Sequence, residues 1–101
     1  MSTITFSGNL TADPEISFTR SGKAVGKFRV LENRSKSTSE GWQDGEPNAF
    51  NVQVWEGMAE NVAESLHRGD RVVVVGTVVT ERWTDRETQE PRTSQFVRAR
   101  E

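Results

Sequence analysis

Apolar and polar residues alternate along most of this chain, and the period changes only once. In Thr3-Ile4-Thr5-Phe6-Ser7, Ile4 and Phe6 share one parity and three hydroxyl residues share the other. That is the period-two pattern of a half-buried strand, closed at Gly8-Asn9. Asp13-Pro14-Glu15 and Ser21-Gly22 are turn signals. From Lys23 to Leu31 one parity carries Ala24, Gly26, Phe28 and Val30, and the other carries Lys23, Val25, Lys27 and Arg29. A second strand with a small-residue core face and a basic outer face is expected. Residues 35–47 are rich in Ser, Gly, Asp and Glu, have no period, and predict a long loop around Trp42. Phe50, Val52 and Val54 then alternate with Asn51, Gln53 and Trp55 in a third strand.

From Gly57 the spacing becomes helical. Met58, Val62 and Leu66 recur every four residues with Ala59 and Ala63 beside them, while Glu60, Glu64 and Arg68 face elsewhere. One helix of about three turns follows, with Gly69 closing it as a left-handed cap. Val72 to Val79 is apolar on both parities, so this strand should be covered on both faces, by the core and by a second copy of the chain. Gly76 within it predicts a bulge or sharp bend. Residues 83–92 read as a second long hairpin loop, and residues 93–101 as a last strand around Phe96 and Val97. Three strands, a helix and two strands is the order of an all-β, five-stranded OB-fold barrel with one helix between strands 3 and 4.

Composition narrows the chemistry. The 101 residues make a single domain over 1–101. There is no cysteine, which removes disulfides and thiolate metal sites. No charged leader precedes an apolar stretch, and the longest apolar run is Val72 to Val75, so a cytoplasmic protein without a membrane segment is expected. His67, the only histidine, is placed in the last turn of the helix beside Arg68, where a solvated imidazole is favourable. No phosphate-cradling glycine loop or metal-ligand spacing occurs. The expectation is a protein that is not an enzyme and uses neither cofactor nor metal.

Thirteen Lys+Arg against 15 Asp+Glu give a net charge of −2, which opposes phosphate binding unless the cations gather on one surface. The aromatics point the other way. Trp55 shares the polar parity of its strand with Asn51 and Gln53, where an exposed indole serves as a stacking platform for bases or caps the barrel or a subunit contact. Trp83 lies between Arg82 and Arg86, so stacking and phosphate contact share one short stretch. Trp42 is either a loop anchor or a stacking residue. Lys23, Lys27 and Arg29 form a stripe on one strand face, continued by Arg34 and Lys36, and the helix acids Glu56, Glu60 and Glu64 are expected to lie away from it.

Several stretches together resemble the bacterial-type single-stranded DNA-binding proteins. They are Gly8-Asn9-Leu10 with Asp13-Pro14-Glu15, Ser21-Gly22-Lys23-Ala24-Val25 with Phe28, Gly41 to Glu46, Trp55 through Ala59 to Leu66 with Arg68-Gly69, and Arg82-Trp83-Thr84-Asp85. The likeness covers almost the whole chain. It implies an OB fold, a homotetramer in the usual case (a dimer being the other option), and single-stranded DNA wrapped around it in the nucleoid during replication, recombination and repair. The family's stacking positions fall on Trp55 and Trp83, its basic positions on Arg68 and Arg82, and Trp42 matches a loop of some branches. A further family aromatic falls on Ala49, with Phe50 assigned to the core, and Val79 and Glu81 stand where many members carry arginine. The family's linker and acidic tail have no counterpart up to Glu101, so tail-mediated protein partners are not expected. Two other readings stay open: an OB-fold protein-interaction or assembly module with weak nucleic-acid binding, and an RNA-binding OB domain.

Overall fold

The computed structural model describes residues 2–33 and 35–101, except for the side chains of residues 35–38, 43 and 44. The elements run β1 (Thr3–Leu10), β2 (Glu15–Phe18), β3 (Ala24–Glu32), β4 (Ser35–Thr38), β5 (Gly41–Asp44), β6 (Asn48–Trp55), α1 (Glu56–Ser65), β7 (Arg71–Thr84) and β8 (Pro91–Ala99). Pairing passes from β1 through β7, β8, β6 and β3, and returns to β1 through Asn9↔Leu31 and Leu10↔Val30. The ring of five strands with α1 between the third and fourth is the expected OB plan. Every join is antiparallel except β6 with β8, which is parallel and holds two register pairs, Val52↔Val97 and Gln53↔Arg98.

The inward parity of each ring strand supplies the core: Phe6, Leu10, Phe28, Val30, Val52, Val54, Val74 and Val97, closed over by Ala59 of α1. Each such side chain contributes about 1.5–3 kcal/mol by leaving water. Phe50 stacks on Phe6 with centroids 4.0 Å apart and an interplanar angle of 19°, in line with its assignment to the core. The small residues of β3 make room for the helix. A Cβ on Gly26 would stand 2.8 Å from Val54 Cγ2 and 3.5 Å from the Ala59 Cβ.

Several boundaries differ from expectation. β1 does not end at Gly8 but runs to Leu10. Gly8 is the point where β1 crosses β3, and a side chain there would collide with the Leu31 carbonyl. β2 is an additional strand paired only to β3, and all four of its residues are exposed, so it carries no burial pattern to read. The loop expected over 35–47 contains a two-stranded ribbon, β4 with β5. The later hairpin loop is shorter than expected, because β7 continues to Thr84 and β8 begins at Pro91.

α1 stops at Ser65, with Leu66 already extended at φ −104° and ψ 142°. Gly69 is left-handed (φ 89°) but belongs to the following turn, where its N–H donates to the Leu10 carbonyl at 2.8 Å. His67 therefore lies beyond the helix, its backbone N–H donating to the Asp70 carboxylate at 2.8 Å. Gly76 makes no bulge. Register with β1 is continuous through Ile4↔Gly76, and the glycine is needed because β8 crosses so closely that a Cβ would strike the Arg98 carbonyl. On β7, Val74 is buried while Val73 is 66% exposed, so residues of this chain cover only one face of the apolar strand fully.

Candidate nucleic-acid interface

The outward parity of β3 and β6 forms a continuous surface. Across it, Val25 faces Trp55, Lys27 faces Gln53, Arg29 faces Asn51, and Leu31 faces Ala49. Strand alternation alone puts these residues on the outer parity, because their neighbours Gly26, Phe28 and Val30 fill the barrel, although Val25 is itself covered there. Lys27 and Arg29 are exposed and form no ion pair with other described residues.

Trp55 ends β6 and is half-buried. The chain turns sharply after it, with Glu56 at φ 56°, a left-handed conformation for a residue with a side chain. The indole lines a cleft with Ser17, Val25, Lys27, Gln53 and Glu81. The Arg98 guanidinium lies over its ring, 5.3 Å from the centroid, close enough for a cation–π contact. The indole Nε1–H is buried and has no hydrogen-bond partner among the described residues, an uncommon condition that costs about 1–3 kcal/mol.

Trp83 is 49% exposed and stands on β7 opposite Arg92. Glu81 shares its parity and lies in the Trp55 cleft, so Trp83 is one strand repeat, about 7 Å, further along the same face. Arg86 lines a concavity with Trp83 and Asp85. Arg82, of opposite parity and paired with Thr93, points to the other side of the hairpin arm, so only one of the two flanking arginines shares the indole's face. Trp42 is 77% exposed on β5. Lys23 lies 4.0 Å from the Glu56 carboxylate, both largely in solvent. The Arg68 backbone N–H donates to Asp13 Oδ1 at 2.8 Å. Its residue lines a cleft with Thr11, Leu31 and Asn33, and Thr11 also lines the cleft that holds Lys27 and Arg29. Arg34 and the side chain of Lys36 lie outside the described residues.

The structure thus brings together Trp55, Lys27 and Arg29, extends the row toward Arg68 at one end and Trp83 at the other, and leaves Trp42 and Arg82 apart. It adds Arg98, Phe96, Asn51 and Gln53, which the sequence-based expectations did not include. Their signal was parity: Val97 is 3% exposed and points inward, so Phe96 and Arg98 on either side of it must point outward. The separation of acids from this face is only partial. Glu60 and Glu64 lie on the helix, but Glu15 stands opposite Lys27 and Glu81 sits in the Trp55 cleft. Among the described residues no cluster of His, Cys, Asp and Glu could hold a metal ion, and no helix is long and apolar enough to cross a membrane.

Comparison with known proteins agrees with this architecture. A crystal structure of a small single-stranded DNA-binding protein from Streptomyces coelicolor superposes with a TM-score of 0.79 at 29% identity, covering 99% of this chain and 90% of that one. Single-stranded DNA-binding protein 2 of Streptomyces coelicolor is 49% identical over 87 residues, covering 83% of this chain and 43% of its own length. The single-stranded DNA-binding protein of Mycobacterium tuberculosis is 48% identical over 88 residues, covering 84% and 53%. The chain thus spans about half the length of these relatives. The family model described as the single-strand binding protein family matches residues 1–101. With the ring topology, the exterior indoles and this match in agreement, the chain belongs to the single-strand binding protein family.

Proposed function

We propose that this chain binds single-stranded DNA without sequence preference and protects it during replication, recombination and repair, as a cytoplasmic, nucleoid-associated homo-oligomer with no enzymatic activity. The observation that carries the reading is the Trp55 indole on the outer sheet face, in a cleft with Lys27. In this reading bases stack on Trp55 and Trp83, each contributing about 1–3 kcal/mol whatever its identity. Lys27, Arg29, Arg68 and Arg86 meet phosphates along one path, and Lys23, Arg34, Lys36, Arg82 and Trp42 act at its margins.

Titration with oligo-dT at low salt is expected to quench tryptophan emission, and log affinity is expected to fall with log salt by about 0.7 per phosphate neutralised. Trp55→Ala should weaken binding by about 1–3 kcal/mol. Unchanged emission with oligo-dT would remove the reading. Glu81 in the Trp55 cleft favours a second reading, an assembly module that binds nucleic acid weakly. Equal and weak affinity for duplex and single strand would select it.

A further inference from the structure

We infer that the seam between β6 and β8 seats one unpaired base of the bound strand, with Phe96 as the floor on which it stacks. The inference rests on the single-strand reading above and assigns it a site that the tryptophans do not provide. The seam is the one parallel join in the ring, and only two register pairs hold it. No further register pair joins the two strands, and two clefts open beside those pairs. Phe96 stands there, half-buried, yet it is absent from the residues packed on the core, because Val97 takes the inward position beside it.

Two clefts, about 280 Å³ and about 200 Å³, meet at this point and share Phe96 and Asn51 in their linings. An aromatic that neither packs in the core nor lies free in solvent offers one ring surface to a flat partner. The polar groups around it suit a nucleotide. The Asn51 and Gln53 amides line the larger cleft and make no hydrogen bond with other described residues, so both can donate to and accept from a base edge. Lys27 and Arg29 stand on the same wall, available to phosphate. Asp13 and Glu15 lie at the margin next to β2, with β3 and β6 between them and Phe96, and repel phosphate there. The cleft continues into the Trp55 surface through Lys27 and Gln53, which line both, so a strand stacked on Trp55 reaches Phe96 without leaving the sheet.

The test compares the full chain with Phe96→Leu and Phe96→Trp by titration with oligo-dT of about 16 nucleotides, the upper end for one OB fold. Leucine keeps an apolar residue of similar bulk but no π-face. The expected result is about tenfold weaker binding by Phe96→Leu, near wild-type binding by Phe96→Trp, and the same salt slope for all three, because stacking neutralises no phosphate. Asn51→Ala, at an exposed position, should weaken binding several-fold and supplies the comparison should Phe96→Leu lower the melting temperature. Wild-type affinity in both Phe96→Leu and Asn51→Ala overturns the inference alone. A loss in Phe96→Leu that tryptophan does not restore, or that changes the salt slope, also overturns it by showing a structural role. Failure of the wild-type chain to bind oligo-dT brings down the single-strand reading itself, and this site with it.

Discussion

Arg98 and Trp55 form a pair whose two halves are held by different strands. The guanidinium comes from β8 and the indole from β6, joined 5.3 Å apart across the parallel seam. A cation over an indole at a partly exposed site contributes about 0.5–1 kcal/mol, so Arg98→Ala should lower stability in urea melts by about that amount. The same change should alter the emission of free Trp55, because the charge above its ring is removed. The sequence made Trp55 legible, since a tryptophan on the polar parity of an alternating strand has few structural explanations. It did not make Arg98 legible. Which outward residue of β8 meets which outward residue of β6 depends on the register of a parallel pair 45 positions apart in the chain, as Gln53↔Arg98 shows, and local alternation carries no register. The buried indole N–H was equally illegible, because the Trp55 cleft is lined from four separate stretches of the chain that only the fold brings together.

At the scale of elements, β7 is the longest strand and places an acid on the candidate interface. It presents Val79, Glu81 and Trp83 on its outward parity, so a carboxylate stands between the two indoles. Glu81→Arg should strengthen binding to oligo-dT and steepen the salt dependence by about 0.7 in log–log slope, the contribution of one further phosphate contact. On the opposite parity the constraint is steric. Gly76→Ala would place a methyl carbon against the Arg98 carbonyl and 3.0 Å from the Ala99 Cα. Because the obstacle is backbone, a loss of about 1–3 kcal/mol is expected in denaturant melts. The ring strands and the helix were readable because each has a strong period and one buried face. β2, β4 and β5 were not. β2 buries nothing, and β4 with β5 pair only with each other, so hydrogen bonding holds these elements where hydrophobic patterning is silent.

For the whole molecule, a net charge of −2 was the strongest objection to a polyanion as partner. The distribution answers it in part, with Lys27 and Arg29 forming no ion pair among the described residues of the outer sheet and Glu60 and Glu64 on the helix. Val73, 66% exposed between the half-buried Val72 and the buried Val74, marks the face expected to meet another copy. Light scattering at micromolar concentration should give a mass that is a multiple of 11.3 kDa, and Val73→Glu should shift it toward a single chain. A strictly monomeric wild-type protein would exclude this assembly.

The position of β8 in the ring, between β6 and β7, also governs when the barrel can exist at all. During synthesis the segments that flank the gap emerge first, and neither can close on the other. Until residues 91–99 leave the ribosome, β6 and β7 each carry an open row of amides and carbonyls, the arrangement most apt to capture a foreign strand. Closure of the ring therefore waits on β8, and a chain cut before Pro91 would leave both borders open to such capture.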